Sequence, residues 1–178
     1  SLRRLTSSPR SDDRWPAWSP DGRRLAWARL RDGRGDVLVM RADGGGKRLL
    51  AGGPGDDVDP AWAPDGRSLA FASDRGGRYG IWLTRAGAPP EPVVEPDGGA
   101  RAPAWRRDGS QLAYSAAGPR GIHIWTVSLA TRVPQQVTSS TARDLRPDWA
   151  PQGNRLVFTR VDATGRRTWV VVPGRAAT

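Results

Sequence analysis

Cysteine is missing from this chain of 178 residues, and histidine occurs only once, at position 123. The lack of cysteine excludes disulfide frameworks, cysteine-based zinc sites and thiol catalysis. A single imidazole excludes metal sites built from several histidines and catalytic triads that need a second one. Long apolar runs are missing too, since no segment approaches the ~20 apolar residues of a membrane-spanning helix. We therefore expect no membrane span, no metal or other cofactor, and no catalytic residues.

Lysine is almost absent as well, although the formal net charge is +10. Lys47 is the only lysine, so nearly every positive charge is an arginine. The arginines are spread over every segment, mostly beside Asp and Gly, whereas nucleic-acid binding needs a patch or a stripe. This distribution favours a solvated, arginine-rich surface over the alternative of phosphate-backbone binding, and we expect no nucleic-acid partner.

Glycine and proline are abundant, and nine tryptophans accompany them. Disordered chains are poor in aromatic residues, so this combination indicates short strands joined by tight turns. Four of the tryptophans, here called the marker tryptophans, are spaced by 44, 43 and 44 residues, and similar text surrounds each one. They are Trp18, Trp62, Trp105 and Trp149. A period near 44 is typical of a propeller blade or a long helical repeat.

The apolar runs between the markers decide in favour of strands. One short run follows the Asp-Gly pair in each of the first three copies. In the fourth copy the equivalent run follows Gln152-Gly153. A second run is centred 20 residues after each marker. These runs are β-branched or aromatic and too short for helices, and Asp-Gly between two such runs indicates a hairpin. The sequence predicts an all-β propeller of four four-stranded antiparallel blades, with boundaries at 11–53, 54–98, 99–140 and 141–178.

The two ends of the sequence look complementary. The first ten residues contain a strand-like run around Leu5, whereas the fourth unit lacks its last strand. We expect residues 1–10 to form a closing strand that completes blade four, because closure removes an unpaired sheet edge. The alternative is that two chains join head to tail into an eight-bladed ring. The chain is then either a monomer or a homodimer, and a third alternative is that it is a fragment of a larger ring.

The text at 16–27, followed by the segments 37–45 and 47–50, resembles the WD40-like (PD40) repeat of the TolB β-propeller family. The resemblance covers the whole chain and is strongest in units one and two. It implies a non-enzymatic, periplasmic or extracellular propeller that binds other proteins, often a peptide entering its axial tunnel.

Three aspartates recur five residues before a marker tryptophan, namely Asp13, Asp57 and Asp144, while Ala100 replaces the fourth. In a propeller this position lies at one mouth of the tunnel, so the three carboxylates are predicted to form a partial acidic ring. Such a ring attracts a basic peptide or, as a lesser option, a metal ion. The structural alternative is that each aspartate closes a local turn and is neutralised by a nearby arginine.

Trp15 lies outside the repeat, because its equivalents are not tryptophan. We expect it to be an exposed contact residue at the same tunnel mouth. The marker tryptophans are expected to pack between blades, with a sugar-stacking role as the alternative.

These observations predict a non-enzymatic scaffold that binds a protein or peptide partner through its loops and tunnel mouth. The acidic ring would suit a partner with a basic segment. Two alternatives stay open. One is a carbohydrate-binding, lectin-like propeller, and the other is an accessory propeller of a larger enzyme.

Overall fold

The computed structural model describes residues 2–85 and 88–174, and within them the chain forms fifteen β-strands and no helix. The strands make four antiparallel sheets, three with four strands and the last with three. Blade one contains β1 (Asp12–Trp18), β2 (Arg24–Arg31), β3 (Arg34–Arg41) and β4 (Arg48–Ala51). Blade two contains β5 (Asp57–Trp62), β6 (Ser68–Ser73), β7 (Gly80–Arg85) and β8 (Glu91–Val94). Blade three contains β9 (Gly98–Trp105), β10 (Gln111–Gly118), β11 (Gly121–Ser128) and β12 (Pro134–Gln136). Blade four contains β13 (Arg143–Trp149), β14 (Leu156–Asp162) and β15 (Gly165–Val171).

Each blade is a meander in which every strand pairs with the next one in the sequence. The first and second strands are joined at the predicted Asp-Gly turns. In blade one the Gly22 N–H donates to the Ser19 carbonyl, and Gly22 adopts a φ of +66° that a residue with a Cβ rarely takes. The Asp21 carboxylate accepts a hydrogen bond from the Arg23 N–H and fixes the turn further. The all-β propeller of four antiparallel blades is therefore confirmed.

The blades pack through their first strands. Strand β1 contacts β5, β5 contacts β9, and β9 contacts β13, so these first strands form the inner layer of the array. Between successive sheets lie clusters of buried apolar side chains, such as Val58, Ile81 and Leu112. Burial of such side chains at ~25 cal/mol per Å² of apolar surface is the main force that holds one blade to the next.

The predicted closing strand is not formed, which corrects the expectation for residues 1–10. Residues 2–10 contain no strand, and the sheet of blade four ends at β15. The N-terminal segment instead lies along blade one, where the Arg3 guanidinium donates to the Asp43 carbonyl at 2.6 Å and Leu5 lies beside Gly44. These local contacts hold the segment at the β3–β4 turn, far along the chain from blade four. Ser1, residues 86–87 and residues 175–178, which the predicted boundaries include, lie outside the described residues.

Candidate functional site

The inner layer of the propeller carries the same irregularity in every blade. Each first strand shifts register against the second strand at a β-bulge. One residue of each bulge has a positive φ between 51° and 54°, although none is glycine. The four residues are Trp15, Asp59, Ala102 and Arg146. Bulges re-aim side chains, and a bulky residue held at positive φ stores strain that is typical of functional sites.

The three predicted aspartates are the first or second residue of the first strand of their blades, and each one binds an arginine of the same blade. Asp13 accepts hydrogen bonds from Arg29 at 2.7 and 2.9 Å. The other two pairs are equally close: Arg75 donates to Asp57 at 2.6 and 2.8 Å, and Arg160 donates to Asp144 at 2.7 and 2.9 Å. All three are two-point contacts between a guanidinium and a carboxylate, a strong form of ion pair.

Burial separates the three pairs. The side chains of Asp57 and Asp144 are fully enclosed, whereas Asp13 keeps 21% of its side chain exposed. Burial raises the pKa of Asp57, although hydrogen bonds from Arg75 and Ser73 act against that rise. Burial also opposes ionisation of Asp13, but hydrogen bonds from Arg29 and Thr6 outweigh it and lower the pKa. The carboxylates of Asp57 and Asp144 are thus already occupied, which favours the structural alternative, while their role in ligand binding stays a prediction.

The structural alternative expected a nearby arginine for each aspartate but did not identify which one, although the repeat contains a signal for it. Residue 13 stands directly opposite Arg29 across the strand pair, and residue 144 stands opposite Arg160. In blade three the equivalent pair is Ala100 and Ala116, so the unit without the aspartate also lacks the arginine. In blade two Ser73 takes the arginine's place, and the guanidinium comes from Arg75 in the next turn.

Trp15 is partly buried rather than freely exposed. Its indole packs against the apolar cluster between blades two and three. Two guanidinium groups flank it, Arg14 at 5.9 Å and Arg101 at 5.8 Å from the ring centroid. Both distances are within the range of a cation–π contact. Trp15 therefore brings blade one into contact with Arg101 of blade three at the inner layer.

Arg101 lies at the centre of this group, which we call the mouth cluster and define as Arg14, Trp15, Asp59, Tyr79 and Arg101. The Nε of Arg101 donates to the Asp59 carboxylate at 2.9 Å, and its guanidinium lies 4.3 Å from the Tyr79 ring centroid. Asp59 also accepts from the backbone N–H of residue 102 at 3.2 Å. The Tyr79 hydroxyl donates a hydrogen bond to Asp56. Burial, and to a smaller extent this hydrogen bond, raise the pKa of Tyr79. The mouth cluster joins blades one, two and three.

Three of the four marker tryptophans, namely Trp62, Trp105 and Trp149, pack between blades as predicted, whereas the prediction is wrong for Trp18. The Trp62 indole N–H donates to the Ala17 carbonyl at 3.2 Å, and the Trp105 N–H donates to the Ala61 carbonyl at 3.0 Å. Trp149 is buried, but its N–H has no partner among the described residues. Trp18, by contrast, is 57% exposed.

The described part of the chain offers neither a candidate metal site nor a helix that could span a membrane. No group of three or more acidic or histidine side chains there has the arrangement of a metal site. No helix of a length and apolarity that could cross a membrane occurs among the same residues.

Four antiparallel meander blades packed through their first strands define the class of this protein as a β-propeller. Residues 2–89 match the family described as PD40, TolB beta propeller domain. The TolB-like repeat that the sequence indicated is therefore confirmed for residues 2–89, and the chain as a whole has the fold of a β-propeller.

Solved structures agree with this assignment at the level of the fold. A putative TolB from Agrobacterium tumefaciens matches with a TM-score of 0.77 and 22% identity, over 87% of this chain and 59% of that one. TolB from Acinetobacter baumannii matches with a TM-score of 0.68 and 18% identity, over 97% of this chain and 46% of that one. A prolyl endopeptidase structure matches with a TM-score of 0.69 and 18% identity, over 97% of this chain and 28% of that one. The chain thus spans about half the length of the TolB structures, and a comparison with curated proteins gives no match.

Proposed function

We propose that this propeller is a non-enzymatic scaffold that binds a protein or peptide partner at the mouth of its inner layer. The observation that carries the proposal is the strained Trp15, which holds a large aromatic side chain at a φ of 51° between two arginines. Aromatic and arginine side chains dominate the binding energy of protein interfaces. The family assignment supports a periplasmic or extracellular location as part of the same proposal.

The three aspartates take a positioning role in this proposal. Their carboxylates hold Arg29, Arg75 and Arg160 against the ends of the first strands, which fixes the shape of the mouth. A basic partner would have to displace these arginines from Asp57 and Asp144, both fully buried, so the structure offers more to a partner at Trp15.

Peptide selection tests the proposal. Peptides selected from a random display library on the wild-type chain are expected to lose about tenfold in affinity for Trp15→Ala. Trp18→Ala is the matched control, because Trp18 lies on the same strand, is more exposed and belongs to the opposite end of β1. Trp15→Phe keeps an aromatic ring in the packed position, so this second variant keeps the test informative if Trp15→Ala fails to fold. Selected peptides that depend on Trp18 and ignore Trp15 would contradict the proposal.

The prolyl endopeptidase match favours one second candidate, an accessory propeller that packs on an enzyme domain. The partner surface would then be occupied by that domain within one larger protein. No comparable observation favours the carbohydrate alternative, since Trp62 and Trp105 use their N–H groups between blades.

A further inference from the structure

Arg101 differs from the three arginines that bind Asp13, Asp57 and Asp144 in being held on one edge of its guanidinium and open on the other. Its Nε is bound by Asp59, and one face lies 4.3 Å from the ring of Tyr79. The two terminal nitrogens have no acceptor among the described residues, and 38% of the side chain is exposed. Arg29, Arg75 and Arg160 instead bind their aspartates through two contacts each.

The surroundings fix the direction of this open edge. Asp59 is itself held by the backbone N–H of residue 102, and Tyr79 is held by the bond from its hydroxyl to Asp56. A guanidinium supported in this way loses little conformational entropy when it binds a ligand. The arginine is therefore organised for binding before a ligand arrives.

The geometry of the open edge indicates the ligand chemistry. Two parallel N–H groups match the two oxygens of a carboxylate, and this two-point contact is stronger than a bond to a neutral carbonyl. The long-range field agrees, because the chain carries a net charge of +10, and Arg143 and Arg146 of strand β13 are exposed with no acidic partner among the described residues.

We infer that Arg101 is the anchor of the mouth cluster for a carboxylate of an acidic peptide, with Trp15 contacting the neighbouring part of that peptide. This inference rests on the proposed function, and it replaces the basic partner expected from the sequence with an acidic one. The carboxylate belongs to an aspartate or glutamate side chain or to the C-terminus of the peptide.

Fluorescence anisotropy with three labelled probes on the full chain tests the inference. The probes are hexaglutamate with an amidated C-terminus, hexaglutamine with an amidated C-terminus, and hexaglutamine with a free C-terminus. We expect at least one carboxylate-bearing probe to bind about tenfold more tightly than amidated hexaglutamine, and the difference to shrink as salt is added. Comparison of the two carboxylate-bearing probes shows which source of the carboxylate is preferred.

Matched variants locate the effect. Arg101→Lys keeps the charge and removes the fork, and it is expected to weaken the preferred probe about tenfold. Arg132→Lys is the control, because Arg132 also bridges two blades through a carboxylate, that of Glu91, and is 41% exposed, but lies at the outer edge. Its effect should stay within about twofold. If Arg101→Lys weakens binding of the preferred probe no more than Arg132→Lys does, charge alone accounts for the attraction, and the inference is overturned.

Nuclear magnetic resonance on the unaltered chain gives a readout that does not depend on folding of a variant. The preferred probe should shift the Trp15 Nε1–H and Arg101 Nε–H signals and leave the Arg132 Nε–H signal in place. Unshifted Trp15 and Arg101 signals would overturn the inference. If amidated hexaglutamine binds as tightly as the other probes and shifts Trp15, the proposed function stands and the carboxylate preference is refuted.

Discussion

Blades two and three are covered on both faces, whereas blades one and four each leave one face in solvent. The covered blades place Trp62 and Trp105 against the preceding blade, with both indole N–H groups bonded. Trp18 occupies the same position in blade one and is 57% exposed, and Val170 on the last strand of blade four is 62% exposed. The same repeat residue thus contributes to stability only where a neighbouring blade completes its contact.

The largest test of this comparison removes the marker tryptophan from a covered and an uncovered position. Trp62→Ala should lower the free energy of unfolding by about 3 kcal/mol, because it deletes an indole packed under Arg24 at 4.7 Å and leaves a cavity. Trp18→Ala should lower it by less than about 1 kcal/mol, since water already surrounds most of the ring. Urea unfolding of the two variants measures both values, and equal losses would break the comparison.

The Asp–Arg pairs extend the comparison from apolar contacts to charge. Asp57→Asn should lower the free energy of unfolding by about 3 kcal/mol, because the Arg75 guanidinium would stay buried without the carboxylate that balances its charge. Asp13→Asn should cost about 1 kcal/mol, since water reaches this carboxylate. Chemical unfolding at neutral pH measures the difference.

Two controls sharpen the result for the pairs. The double change of Asp57→Leu with Arg75→Met should recover most of the lost stability, because it removes both buried charges. A double variant as unstable as Asp57→Asn alone would contradict this account.

The second control uses pH. The pKa of Asp13 is lowered despite burial, because hydrogen bonds from Arg29 and Thr6 stabilise its charged form, so the contribution of Asp13 to stability is present at neutral pH. That contribution disappears as the pH falls through the lowered pKa, and wild type and Asp13→Asn should then become equally stable.

Sequence periodicity predicted the blades because each one repeats the same strand lengths, turns and apolar positions. It failed for residues 2–10, where a strand-like run around Leu5 is held by a side-chain bond from Arg3 to the neighbouring turn of blade one. The positions of the three aspartates near the starts of the first strands were predictable, but their arginine partners depend on strand register. The mouth cluster itself was beyond reach, because Trp15 and Arg101 are 86 positions apart and meet only through the packing of three blades.

The β-bulge of the first strand does not depend on a neighbouring blade, since its residue with positive φ occurs in all four blades. Ala102 takes a φ of 54° there, whereas Ala104, two residues on in the same strand, is not among the residues with positive φ. Ala102→Gly should raise the free energy of unfolding by about 0.5 kcal/mol, because relief of the left-handed strain exceeds the entropic cost of glycine. Ala104→Gly is the matched control and should lower it by about 0.5–1 kcal/mol. Thermal unfolding of both variants decides the matter, and a loss of equal size at the two positions would show that the bulge stores no strain.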